Sequence, residues 1–275
     1  MMKLGLGEIG PWTFGAIRMI VGTLGLFACA ALFGQRLGVP ARDLRPLIVA
    51  AVLNTTGWQL LAAYGTGLMH AGRAAIVAFT MPLWATLLSA LLLGERLTAP
   101  KLAGLALGLA GLALLVEREA SQLGAAPLGI AFMLAAAVSW AAGSVAVKRH
   151  AWTMPAWPLT AWQMLIGGLP IVVGALAFEP EMRDLPALAG RVSWTALAAT
   201  AYAATVPMIF CQWGWMRLLQ IFPASLAAIS TLMIPVVGVF ASAVVLGEEV
   251  GGPELAALVC VVAGLALALR PAGAR

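Results

Sequence analysis

The chain is a succession of long apolar runs, each closed by charged residues, Pro or Gly. A membrane-crossing helix needs about 20 mostly apolar residues. Nine runs are read as spans: Trp12–Phe33, Leu47–Leu68, Ala71–Leu93, Leu102–Val116, Pro127–Val147, Pro158–Phe178, Trp194–Met216, Ala224–Leu246 and Leu255–Leu269. None alternates apolar and polar positions over about ten residues, as a barrel strand does. The pattern therefore predicts an all-α membrane protein, a helical bundle. Connections are short, and the longest, about Glu179–Ser193, is too small to form a domain.

Composition agrees. Of 275 residues, 62% are hydrophobic and 10% charged, and the mean hydropathy is +0.98. A soluble domain carries about 25% charged residues, so a soluble enzyme is excluded. The net charge of +5 points to basic loops on an anionic leaflet and not to nucleic acid.

The charges also give an orientation. Arg18 alone lies well inside a span. The other basic residues divide ten to five between the two sides of the alternating spans. The richer side, with Arg42, Arg45, Arg96, Lys101, Lys148, Arg149 and Arg217, is cytoplasmic by the positive-inside rule. The C-terminus is then cytoplasmic, in a bacterial inner membrane.

The chain repeats itself. At an offset of 153, Gln59 falls on Gln212, Pro82 on Pro235, Gly94-Glu95 on Gly247-Glu248, Pro100 on Pro253 and Gly111 on Gly264. Earlier in each copy the offset is 145, where Lys3 falls on Lys148, Trp12 on Trp157, Met19 on Met164 and Gly22 on Gly167. The copies are residues 1–122 and 123–275. The second has five spans and the first four, so one further helix is expected ahead of Met1, giving ten in all. Two five-helix units in tandem insert with opposite topology. That is the inverted-repeat plan of secondary transporters, with a site near the midplane and alternating access by rocking.

The stretch Met81-Pro82-Leu83-Trp84 through Gly94-Glu95-Arg96-Leu97, its second copy from Ile234-Pro235 through Gly247-Glu248-Glu249, and Pro11–Arg18 resemble the drug/metabolite transporter superfamily, in its EamA-type branch. The resemblance implies a ten-helix permease of two inverted five-helix repeats. Members of that branch include the YddG-like aromatic amino acid exporters. The expected function is export of small organic metabolites, foremost aromatic or hydrophobic amino acids. The alternative is drug or cation efflux, or another metabolite permease. Drug or cation efflux calls for an intramembrane carboxylate, and all eleven acids lie in loops or at span ends.

Candidate solute-path residues follow from polarity at depth, because hydrocarbon offers polar groups no partners. Arg18 could bind a carboxylate or snorkel to the headgroups. Asn54, Gln59, Gln163 and Gln212 are amides within spans, and Gln163 is the repeat partner of Arg18. Trp84, Trp140, Trp162, Tyr64 and Tyr202 are deep aromatics. Ser144 shares a face with Trp140. Trp12, Trp152, Trp157 and Trp194, at span ends, are expected in the interfacial belt. Pro82 and Pro235 are the hinge candidates. His70 and His150 are read as solvated loop residues. The Gly104–Gly108 GxxxG is a possible dimer face, and a monomer or weak homodimer is expected. No P-loop, metal-ligand cluster or catalytic constellation is present, so the reading is no enzyme, no catalytic residue, no metal and no cofactor. The expected partners are a small-molecule substrate and the lipid bilayer.

Overall fold

The computed structural model describes residues 8–68, 71–120, 127–237 and 252–269, and the regular structure among them is helical. In chain order the helices are α1 (Pro11–Leu32), α2 (Ala41–Gly67), α3 (Ala71–Ala78), α4 (Met81–Leu93), α5 (Ala99–Ala120), α6 (Pro127–Arg149), α7 (Ala156–Phe178), α8 (Leu185–Arg191), α9 (Trp194–Ile221), α10 (Ala224–Ser230) and α11 (Gly252–Ala268). Among the described residues, α1, α2, α6, α7 and α9 are long and apolar enough to cross a membrane. Shorter apolar helices occupy the other expected spans.

Two expected spans are broken, not continuous. Ala71–Leu93 is interrupted at Phe79-Thr80, between α3 and α4. Pro82 has no N–H to return to Ala78, and its ring crowds that carbonyl. The Thr80 hydroxyl instead donates to the Val77 carbonyl at 2.7 Å. In the second copy, α10 ends at Ser230 and a turn follows at Thr231-Leu232, ahead of Pro235. There the Thr231 hydroxyl donates to the Ala228 carbonyl at 2.7 Å. The rest of the Ala224–Leu246 run beyond 237 lies outside the described residues, as does the Gly247-Glu248 pair.

The chain folds into two compact units. One comprises the described parts of 1–60 and 150–221, the other those of 61–149 and 222–275. Each unit draws on both sequence copies.

In the first unit, the equivalent helices α1 and α7 lie against each other. A Cβ on Gly15 would meet Ile171, and one on Gly22 would come near Met164. One on Gly174 would strike Trp12. Residue numbers fall on one helix as they rise on the other, so the pair is antiparallel. Met19, Leu26, Trp157, Met164, Met208 and Ile209 form the core, with Trp213 against it. Trp157, expected in the interfacial belt, is packed within the protein: it is 8% exposed and its ring stacks on Trp213 at 4.5 Å. Trp194, 80% exposed, stands at the start of α9.

The helix starts of this unit are tied by carboxylates from far along the chain. The first amides of a helix have no intrahelical acceptor. In α1, Glu179 accepts from Trp12 N–H at 3.0 Å and Thr13 N–H at 2.7 Å, while Glu181 accepts from Gly10 N–H at 3.2 Å. The converse holds ahead of α7. Asp43, fully buried in the first turn of α2, accepts from the Thr153 hydroxyl at 2.6 Å and its amide at 3.3 Å. Each copy thus holds the start of the other copy's equivalent helix.

In the second unit, α5 and α11 pair in the same antiparallel sense. Gly104 faces Gly264 and Ala268, and Gly111 faces Ala257 and Cys260. The GxxxG face is therefore occupied within the chain by α11, where no side chain intervenes between the backbones. The Gly94-Glu95 pair also finds its use here. Gly94 takes φ +67°, the left-handed turn that ends α4. Glu95 then accepts from Ala224 N–H at 2.8 Å and from the Ser225 amide and hydroxyl, with Lys101 Nζ 3.7 Å away.

Candidate functional site

Two polar contacts in the first unit stand at matching positions. Arg18 lies seven residues into α1, about 10 Å along its axis at 1.5 Å per residue. Its Nε donates to the Ala203 carbonyl at 3.4 Å, and Nη2 reaches Met208 Sδ at 3.8 Å. Its guanidinium carbon lies 5.5 Å from the centre of the Phe14 ring. Among the described residues no carboxylate pairs with it.

Gln163, its counterpart on α7, is 2% exposed and donates through Nε2 to Asn54 Oδ1 at 3.1 Å. Its Oε1 is buried and has no partner among the described residues. Asn54 itself is 6% exposed.

Both contacts are made to a segment of π-helix in the other copy. Asn54 lies in Ala51–Gly57, within α2, and Met208 lies in Val206–Cys211, within α9. Such widened turns leave carbonyls out of the α register and are frequent at functional sites. Pro207, which lacks an N–H, accounts for the second. Close approach requires glycine on both facing helices. A Cβ on Gly22 would stand 2.5 Å from Met208 Cβ, and one on Gly167 would stand 2.5 Å from Thr55 Cβ and 2.7 Å from the Ala51 carbonyl. Thr56 adds a hydroxyl bond to the Gly167 carbonyl at 2.7 Å.

The other candidates are placed as follows. Trp162 donates its indole N–H to the Leu37 carbonyl at 2.6 Å and meets Phe27 edge-on, so it ties down the chain after α1. Gln59 and Gln212 are half-buried, with no hydrogen bond among the described residues. Tyr202 is 49% exposed. In the second unit, Trp84 and Trp140 pack around Ala85, Ala141 and Ala228. The Trp84 indole donates to Thr80 Oγ1 at 3.2 Å, across the break before Pro82. Ser144 is buried, and its hydroxyl turns back to the Trp140 carbonyl at 2.9 Å. Tyr64, 54% exposed, lies 5.6 Å from Phe132.

One cluster was not anticipated. His150 is not a free loop residue: its Nε2 lies 2.7 Å from Asp43 Oδ1, and its ring packs edge-on against Trp152. Arg42 Nε is 3.4 Å from the same oxygen and its Nη2 donates to the Ala151 carbonyl. The sequence offers Asp43 only as one charge among Arg42, Arg45 and Arg36, a pattern that reads as a solvated loop. Among the described residues no group of three or more His, Cys, Asp or Glu could hold a metal ion.

The pairing of equivalent antiparallel helices, within a chain of apolar helices, accords with what comparison finds. The profile of the EamA-like transporter family matches residues 1–117 and 127–270, one segment in each half. The chain belongs to the EamA-like transporter family.

As an EamA-like transporter it is an integral membrane protein that carries small molecules. It is 30% identical over 272 residues to the "Probable amino-acid metabolite efflux pump" of Escherichia coli, covering 96% of this chain and 87% of that one. It is 28% identical over 272 residues to the "Aromatic amino acid exporter YddG" of Ancylobacter novellus, covering 92% and 89%. One crystal structure matches with a TM-score of 0.82 over 95% of this chain and 89% of the other, at 24% identity, a likeness of fold alone. In this EamA-like transporter, Asn54 and Gln163 are brought together, as are Ser144 and Trp140, and Trp84 and Trp140 pack against one alanine cluster. Arg18 meets none of the other candidates.

Proposed function

We propose that the protein is a secondary exporter of small organic metabolites, foremost aromatic or hydrophobic amino acids. It works by alternating access across a bacterial inner membrane, with its C-terminus cytoplasmic. The observation that carries the reading is the antiparallel pairing of repeat-equivalent helices, α1 with α7 and α5 with α11. An inverted repeat supplies two near-equivalent arrangements of one chain, which is what alternating access requires. Relatives named as amino-acid exporters support the substrate class.

Arg18, Asn54, Gln59, Gln163, Gln212 and the deep aromatics are the solute-path residues of this reading, with Pro82 and Pro235 at its hinges. Counterflow of radiolabelled amino acids in proteoliposomes tests it. Saturable exchange of phenylalanine, tryptophan or leucine is expected. No amino acid exchanging above protein-free vesicles would defeat the substrate class, and non-saturable flux would point to a pore.

A further inference from the structure

We infer that Arg18 is the carboxylate subsite of the transport path. The inference rests on the transporter reading above and adds to it the chemical group the solute must carry.

A guanidinium has five N–H donors and no acceptor. Arg18 spends one on a long bond to the Ala203 carbonyl and one on a thioether sulfur, a weak acceptor. An arginine at depth in a membrane helix is costly unless its donors and charge are met. Here the charge has no acid opposite it among the described residues.

The repeat says what is missing. On the α7 side, Gln163 is met by Asn54 from the π-segment of α2. The same offset of 153 that relates Gln59 to Gln212 carries Asn54 onto Pro207 in the π-segment of α9. Proline's side chain offers no acceptor. The copy that carries the charge therefore has no side-chain oxygen at that position to accept from it, while the copy with the neutral amide has one. Where one copy holds an internal polar partner the other holds none, and on this inference a solute carboxylate takes that role. Arginine's planar fork fits a carboxylate through two parallel bonds, which neither an amine nor an aromatic ring can use.

The test compares each solute as acid and as amide. Proteoliposomes of the wild type, Arg18→Gln and Met208→Glu are loaded with phenylalanine. Competition is measured with phenylalanine, phenylalaninamide and phenylpyruvate. The wild type is expected to prefer both acids over the amide by at least about tenfold, the range of a charge-assisted pair. R18Q is expected to lose that preference, through a much larger loss for the acids than for the amide.

M208E places an internal carboxylate beside Nη2, keeps Arg18 paired, and is expected to lose the preference in the same way. It therefore answers the question even if R18Q does not fold. Retained acid preference in either folded variant overturns the inference, as does an equal loss for acid and amide. A wild type that moves only solutes without a carboxylate overturns it too. A wild type that moves phenylpyruvate but no amino acid, with R18Q inactive on it, would sink the amino-acid reading and leave Arg18 in its role.

Discussion

The carbonyl oxygen of Gly104 lies 2.6 Å from where a Cβ on Gly264 would stand, and the reverse approach is 2.4 Å. Backbone meets backbone there, and nothing flexible can give way. Gly264→Val is expected to force α5 and α11 apart and cost about 1–3 kcal/mol, the range for overpacking a close contact. Gly214→Ala is the control, since a Cβ there meets nothing within 4 Å. Thermal unfolding in detergent should show G264V well below the wild type and G214A at or above it.

The Asn54–Gln163 bond should behave as a coupled pair. Asn54→Ala strands the buried Gln163 amide, Gln163→Ala removes one partner of Asn54, and the two together remove the contact. A double-mutant cycle on stability should return a coupling of about 1 kcal/mol. Additive losses would mean that the 3.1 Å contact does not form.

Asp43 should matter more than a loop charge. Its carboxylate is fully buried and takes the Thr153 hydroxyl, the Thr153 amide and the His150 ring. Asp43→Ala leaves those donors without an acceptor, and about 1–3 kcal/mol of stability should go with it. Asp43→Asn keeps one acceptor and should lose less. Equal, negligible shifts for both would return Asp43 to the solvated surface.

Glu8 should give the contact between the start of the chain and α9 a pH dependence. The Ser193 hydroxyl and amide donate to its carboxylate and hold its pKa below the ordinary range, against a small opposing effect of burial. A depressed pKa favours the folded state above the unfolded value, and the benefit is lost as pH falls through the folded one. Protection of the Ser193 amide from hydrogen exchange, corrected for intrinsic rate, should therefore fall on acidification below about pH 4. In Glu8→Gln that fall should vanish.

For transport, Gln59→Ala and Trp140→Ala are expected to slow amino acid counterflow several-fold at unchanged membrane yield. Gln59 is half-buried with no hydrogen bond among the described residues, and Trp140 packs against the same alanine cluster as Trp84. Wild-type rates in both variants would remove them from the solute path.

Much of this was legible in the apolar runs. Span positions need only composition and length, and the repeat needs only Pro and Gly in one register. What was not legible depends on which helices meet. Trp157 reads as interfacial because it begins a span, yet Trp213, 56 residues away, covers its face. His150 and Asp43 are 107 positions apart, and neither has a local signature. The GxxxG of α5 reads as a dimer face because sequence cannot say that α11 already fills it. Pro82 and Pro235 read as hinges within continuous spans, and the sequence does not announce the breaks ahead of them, where the hydroxyls of Thr80 and Thr231 take up carbonyls of the preceding turn. Polarity at depth singles out Arg18, Asn54 and Gln163 in the sequence, but not the π-segments they meet. Pro207 is a signal for one, and nothing in Ala51–Gly57 announces the other.

The carboxylate ties between copies also set a timetable. Gly10 waits for an acceptor 171 positions later, and Glu95 for amides 129 positions later. At about 5–20 residues per second, a ribosome supplies the first of these only on the order of 10–30 s after Gly10 is made. Through that interval the start of α1 is unanswered, and the glycine stripe of α5 stays uncovered longer still, until α11 follows. A lesion at Gly104 or Glu179 therefore acts during biogenesis, prolonging the exposure of a half-built protein to the membrane's quality control.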